Sequence, residues 1–330
     1  MMPEGDTIFR AARTLHRALA GQVVTRFETQ YAQIARVHDD APITGRIVEK
    51  VESRGKHLLI YFTGTGYRVP GTGCRLLDEG GHEPGIGSRE SGVVTPATTA
   101  GTRRGEVEGP LVLRTHMLMS GSWHIYRAGE AWHRSPSAAR VVVGTAAFVA
   151  VGFAVPVAEF VPASALEQDE TIGRLGPDLL SPDFDAGEAM ARLAASGRPT
   201  VAEALLEQRS VAGIGNVFKS ELLFLARLWP FVPPAEVTEA QWARMMRDAH
   251  VLLKANVIDP AEAGVLTWRG ARRTTGRSNP TQRLYVYGRH GRPCRRCGTA
   301  ILVRHHGEHN RSTYWCPACQ AAPLNGQPGP

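Results

Sequence analysis

Cysteine is scarce in this chain. Five occur in 330 residues, and four of them fall in one pattern, Cys294-x2-Cys297-x18-Cys316-x2-Cys319, which leaves only Cys74. That usage excludes a disulfide framework and fits a reducing compartment. A signal-peptide core is missing too: the first twenty residues alternate charged and apolar groups, so a cytoplasmic protein is expected. Long uncharged runs are rare. One, Val141 to Ala158, reaches transmembrane length, but Gly144, Gly152 and Pro156 interrupt its valines, which suits two buried strands and a turn. Wholesale disorder is excluded by a hydrophobic content of 43%.

Charge is unevenly placed. The formal net charge is +7, yet Thr267 to Arg311 holds eleven arginines against one acid, Glu308, which puts +10 there and −3 on everything else. Arginine at this density points to phosphate contact, because each neutralised phosphate releases counterions. A solvated surface tail is the plain alternative. Cysteines in the same stretch argue for a folded module instead.

A chain of 330 residues can form two or three compact units. Asp6 to Ala20 reads as a helix, with Ile8, Phe9, Ala12, Leu15 and Leu19 on one stripe and Gly21 as its stop. Valine-rich or alternating segments follow at 23–27, 43–51, 57–62, 111–115, 122–126, 141–143 and 147–155, which predicts a β-sandwich or barrel. Tyr67 to Gly109 is rich in Gly, Thr, Ser and Pro, has no apolar period, and reads as an insertion joining two strands. From Asp183 the period is helical. Thr200-x-x-Glu203 and Thr238-x-x-Gln241 are capping boxes, and Val217 to Ala226 is a helix stopped by Pro230, Pro233 and Pro234. Linkers are expected at 156–164 and 264–282. The expected divisions are therefore 1–160 for a β unit with its leading helix, 161–282 for a helical unit and linker, and 283–330 for a zinc module and tail.

The cysteine spacing predicts a tetrahedral site for one zinc ion, closed by Cys294, Cys297, Cys316 and Cys319 and hence structural. In so small a module the metal replaces a core; it would fix the turn that holds Arg311, whose fork suits phosphate. At the other end stand Pro3 and Glu4. An exposed N-terminal proline is a secondary amine that condenses with an aldehyde to a charged iminium, and an α-amino group titrating near pH ~8 is substantially neutral in the cell. Translation from Met2, with Met2 then removed, would expose it; a bulky residue after Met1 would hinder removal. Glu4, next in line, is placed to move protons, although a proline here also suits a plain helix start.

Gly213-Ile214-Gly215-Asn216 offers helix N-terminal amides to a phosphate, or is a simple helix–helix turn. It lacks the Lys-Ser/Thr of a triphosphate loop. Lys56, in Arg54-Gly55-Lys56-His57, and His116 flank candidate strands, where a solubilising charge and a structural histidine are the bland readings. Met117, Leu118 and Met119 sit on a loop, as core or as a wedge that fills the gap left by an extruded base.

Taken in order, Met2-Pro3-Glu4-Gly5, Arg54-Gly55-Lys56-His57, the Met119 loop, Gly213 to Asn216 and Cys294 to Gln320 resemble the formamidopyrimidine-DNA glycosylase and endonuclease VIII family, over nearly the whole chain except 67–109. The resemblance implies an α+β multidomain protein: an N-terminal β-sandwich with a leading helix, a helix–two-turn–helix domain and a C-terminal four-cysteine zinc finger. It implies a bifunctional DNA glycosylase and AP lyase of base excision repair. Pro3 would be the nucleophile, Glu4 the acid/base and Lys56 a phosphate contact near the lesion. Asn216 and Arg311 would grip the flanking phosphates, Met119 would fill the gap, and Glu221 would lie at the active-site rim. The partner it implies is damaged double-stranded DNA, with single strands left open, bound by a monomer expected to have no membrane contact and to associate with the nucleoid when on DNA.

Three departures stand out. Thr7 occupies the place of a second family glutamate, no Arg/Phe wedge appears between Glu130 and Val141, and the insertion is atypical. Lacking that wedge, the chain is closer to the endonuclease VIII branch, and oxidised pyrimidines are the expected lesions, removed with β- and then δ-elimination. An 8-oxoguanine/formamidopyrimidine glycosylase and a non-catalytic zinc-finger DNA-binding relative are the alternatives.

Overall fold

A computed structural model describes residues 3–64, 109–257, 272–277, 279 and 281–323. The amphipathic stripe near the N-terminus forms α1 (Gly5–Leu19), and its buried side includes Ile8, Ala12, Leu15 and Leu19. Then follow β1 (Arg26–Thr29), α2 (Ala32–Asp40), β2 (Val48–Arg54), β3 (His57–Phe62), β4 (Leu111–His116), β5 (Ser122–Arg127), β6 (Ala139–Gly144), β7 (Phe148–Phe153) and β8 (Val157–Pro162). They make two four-stranded antiparallel sheets, ordered β1-β6-β7-β5 and β2-β3-β4-β8. One apolar core joins both sheets to α1, drawing on Ile60, Leu113, Trp123, Val143 and Leu15. The indole of Trp123 is fully buried and stays satisfied by donating to Thr115 Oγ1 at 3.1 Å.

Two expectations need correction. The segment 156–164, read as a linker because of its prolines, contains strand β8, paired with β4 from His116↔Val157 to Leu111↔Pro162. β8 is an edge strand, where a proline's missing donor costs no ladder bond. A boundary at 160 therefore falls inside a strand, and the following 3-10 turn Ala163–Gln168 still packs on the β unit through Leu166. Helix α2 was not expected; its one buried residue, Ile34, gives too weak a period to read.

The expected insertion 67–109 lies outside the described residues except for Gly109. Its flanks are tied together: Arg46, 3% exposed, donates from Nη1 to the carbonyls of Thr63 and Gly109, each at 3.1 Å. The described part of the expected 264–282 linker begins at Arg272.

The helical unit contains α3 (Ala186–Ala194), α4 (Val201–Ala204), α5 (Asn216–Leu225) and α6 (Glu239–Val257). Both capping boxes form. Thr200 Oγ1 accepts from the Glu203 amide at 3.2 Å, and at Thr238 the exchange with Gln241 is reciprocal, at 2.8 and 3.3 Å. Leu193, Leu205, Phe218, Leu222, Trp242, Met245 and Leu253 bury the helices against one another. A hairpin, β9 (Leu302–His306) and β10 (Arg311–Trp315), completes the zinc module. It lies along α5, where the Tyr314 amide donates to Ser220 Oγ at 3.3 Å.

Candidate active site

The head of α1 meets the head of α5. Gly5 donates its amide to the Gly213 carbonyl at 3.0 Å, and Glu4, 1% exposed, turns its carboxylate onto the first turn of α5. There Oε1 accepts from the Val217 amide at 2.7 Å and Oε2 from the Phe218 amide at 3.3 Å. Those amides carry the positive end of the helix dipole, a natural seat for an anion. One of the two readings of Gly213–Asn216 offered helix N-terminal amides to a phosphate; the next two amides of that helix, Val217 and Phe218, are taken by Glu4. Glycine permits the approach. A Cβ on Gly215 would stand 2.3 Å from Glu4 Cγ, and one on Gly5 would stand 2.8 Å from Gly213 Cα.

Cations gather around this carboxylate. Arg272 Nη1 lies 3.7 Å from Glu4 Oε1. Lys56 stands in the β2–β3 turn, which Asp178 pins to the helical unit by accepting from the Gly55 amide at 2.6 Å. Loss of solvent around the Lys56 ammonium lowers its pKa to about 8, against the opposing pull of Glu4. Lys219, fully buried, falls further, to about 7, again because of burial. Its Nζ donates to Asn216 Oδ1 at 2.6 Å and to the Ser312 carbonyl at 2.9 Å. Asn216 also gives its amide to Ser312 Oγ at 3.0 Å, so Lys219 and the zinc hairpin fix its orientation together.

Met117 is core, at 1% exposed, whereas Leu118 and Met119 are 47% and 63% exposed. Leu118 takes a left-handed backbone, φ 45°, held by its amide donating to His116 Nδ1 at 3.0 Å. Burial lowers His116 to about pKa 4 and the adjacent His57 to about 3, which keeps His116 a neutral acceptor. Met119 Sδ sits 3.7 Å from Arg311 Nη1, at the start of β10. Lys56 lies within the fields of Glu4, Arg272 and Arg311, and Lys219 within those of Glu4 and Arg311, so residues of three units act on one another here.

Glu221 is the exception. Expected at the rim, it is 0% exposed, and its carboxylate accepts from the amides of Tyr285, Val286 and Tyr287 at 2.8, 2.8 and 2.9 Å and from the Thr274 hydroxyl. It clamps the chain entering the zinc module onto α5. Two residues escaped the sequence reading. Lys219 carried a signal, a lone lysine three residues after Asn216 in an apolar helix; Arg272 carried none, as one arginine among eleven.

The four cysteine sulfurs all lie within 4.8 Å of one another, with pairs at 3.9, 3.4 and 3.5 Å. Zn–S bonds of ~2.3 Å in a tetrahedron put sulfurs ~3.8 Å apart, so the cluster fits one zinc ion with no open position. Among the described residues, no helix is long and apolar enough to cross a membrane.

This architecture and site find their counterpart in known proteins. Residues 2–152 match the formamidopyrimidine-DNA glycosylase N-terminal domain, and 175–264 match the formamidopyrimidine-DNA glycosylase H2TH domain. The chain belongs to the formamidopyrimidine-DNA glycosylase/endonuclease VIII family, bifunctional DNA glycosylases and AP lyases that act on oxidised bases in DNA. It is 39% identical to a probable endonuclease 8 2 of Streptomyces coelicolor, over 98% of this chain and 95% of that protein. To a DNA-(apurinic or apyrimidinic site) lyase of Mycolicibacterium smegmatis it is 33% identical, over 97% of this chain and all of that one. The fold is shared with the Lactococcus lactis formamidopyrimidine-DNA glycosylase, solved non-covalently bound to DNA containing an AP site. That match has a TM-score of 0.67 at 18% identity and covers 97% of this chain and 100% of the other.

Proposed function

We propose that the chain excises oxidised pyrimidines from duplex DNA through a Schiff base on Pro3, then nicks the strand by β- and δ-elimination. The Pro3 amine attacks C1′, the N-glycosidic bond breaks and the base leaves with the amine's proton; a proton delivered to O4′ then opens the sugar ring by breaking the C1′–O4′ bond. The resulting iminium acidifies the C2′ proton, whose removal expels the 3′ phosphate; a second elimination releases the 5′ phosphate. Glu4 is the group that moves these protons. Lys56, Asn216 and Arg311 hold the flanking phosphates, and Met119 fills the space of the extruded nucleotide. The zinc ion, when bound, fixes the hairpin that carries Arg311 and takes no part in the chemistry.

The observation that carries this reading is the seat of Glu4: a buried carboxylate beside Pro3, with Arg272 at 3.7 Å and with Lys56 and Lys219 within its field. The lesion class rests on the connection before β6. Arg134, in that connection, is folded back, donating to Ser122 Oγ at 2.8 Å and lying 5.3 Å over the Phe153 ring. An apolar Leu118–Met119 plug reads the opposite base poorly, whereas an arginine could hydrogen-bond an orphaned cytosine. Single-turnover excision of thymine glycol against 8-oxoguanine paired with cytosine, in otherwise identical duplexes, tests this. Thymine glycol should be cut faster, and Met119→Ala should slow excision more than cleavage at a preformed abasic site. Faster cutting of 8-oxoguanine would overturn the pyrimidine assignment.

A further inference from the structure

Arg272 and Asp6 form a buried pair 266 positions apart, at 1% and 0% exposed. The pairing is bidentate, with Nε to Oδ2 at 3.1 Å and Nη2 to Oδ1 at 2.5 Å, and Nη2 also donates to Thr7 Oγ1 at 3.3 Å. The guanidinium packs 4.9 Å from the Phe218 ring centre on α5. Its third nitrogen, Nη1, is buried without a hydrogen-bond partner among the described residues, and it faces Glu4 Oε1 at 3.7 Å.

Such an arrangement is an expensive way to hold a fold together. Burying two charges costs about as much as their attraction returns, and an apolar pair of similar volume would commonly do as well. A buried donor left without an acceptor adds a further penalty and calls for an explanation. The location supplies one. Asp6 and Thr7 belong to the first turn of α1, so the fork fixes the segment that carries Pro3 and Glu4, while Nη1 presents a positive N–H to the Glu4 carboxylate.

We infer that Arg272 is the positioning residue of the N-terminal dyad, holding Glu4 in register with Pro3 through Asp6. This rests on the reading of Pro3 and Glu4 given above. Arg272 precedes the zinc module in sequence, so the pair also ties the approach to that module to the first turn of α1.

The test is the rate of borohydride-trapped adduct formation on duplex DNA with one abasic site, under single turnover at saturating protein. It is paired with affinity for the same duplex carrying a tetrahydrofuran analogue. Arg272→Met keeps the packing on Phe218 but removes the fork and the charge. It should slow adduct formation on the order of 100-fold, the scale of a misplaced acid/base group, while affinity changes by less than about threefold. Arg272→Lys should recover part of the rate. If Arg272→Met fails to fold, Asp6→Asn, which keeps the volume and frees the fork, should show the same split between rate and affinity. Wild-type rates in folded Arg272→Met, or rate and affinity falling in proportion, would overturn the inference. Absence of any adduct with the wild-type protein would instead overturn the proposed function.

Discussion

Substituting Glu221 by glutamine separates the clamp seen here from a DNA contact at the rim. Its Oε1 serves the Val286 and Tyr287 amides, and Oε2 serves the Tyr285 amide and the Thr274 hydroxyl. Glutamine keeps one acceptor oxygen and turns an NH2 towards the other two donors. The Thr274 hydroxyl can rotate to accept, but the Tyr285 amide cannot. One buried donor is thus left facing another, and the remaining two bonds lose their charge assistance. Together these amount to about 3 kcal/mol. That free energy should appear where the clamp acts, at the attachment of the zinc module to α5. Zinc release to a chromogenic chelator, if limited by local opening, should accelerate on the order of 100-fold, and DNA affinity should fall as the hairpin loosens. If Glu221→Gln changed DNA affinity while zinc release and thermal stability stayed at wild-type values, the carboxylate would be a DNA contact and the clamp reading would fail.

Three further outcomes are expected. Cys316→Ser should lower zinc content and DNA affinity together but spare single-turnover cleavage at saturating DNA; collapse of cleavage with binding intact would give the metal a chemical role. Lys219 holds its proton in the folded protein only to about pH 7, against 10.5 when unfolded. The unfolded chain binds the extra proton between these values, so the penalty from this lysine is full below about pH 7 and fades towards 10.5. DNA-free thermal stability should accordingly rise with pH through this window less steeply in Lys219→Met than in the wild type, and equal slopes would contradict the burial of a charged amine. Replacing residues 66–107 by a short Gly/Ser turn should preserve the fold and adduct formation, because Arg46 ties both flanks and the Gly64 and Gly109 backbones are already in near contact. A folded variant without the adduct would assign the insertion to the site.

Much of this was legible in the sequence because it rests on local rules. The stripe of α1, the two capping boxes and the cysteine spacing each encode geometry within a few residues. The motifs on which Pro3, Glu4, Lys56, Asn216 and Arg311 are proposed likewise span only a few residues. The illegible parts depend on partners far along the chain. Strand β8 was hidden by prolines that only an edge position excuses, and a single contact residue, Ile34, defines α2. Glu221 looked like a polar residue near a DNA-binding helix; only the fold shows that three amides more than sixty positions later converge on it. Arg272 pairs across 266 positions with Asp6, in a segment where no pattern distinguishes it from its neighbours.

The central claim is that the reactive nitrogen belongs to Pro3. Trapping the protein with borohydride on abasic duplex DNA, digesting both components and mapping the modified peptide by mass spectrometry tests it directly. The nucleotide remnant should reside on the nitrogen of Pro3, in protein that has lost Met1 and Met2. The site offers two rival amines, Lys56 and Lys219, whose pKa values burial lowers to about 8 and about 7 and which are therefore partly neutral at the pH of the reaction. A remnant on either lysine, or full activity in protein that retains residues before Pro3, would contradict the account.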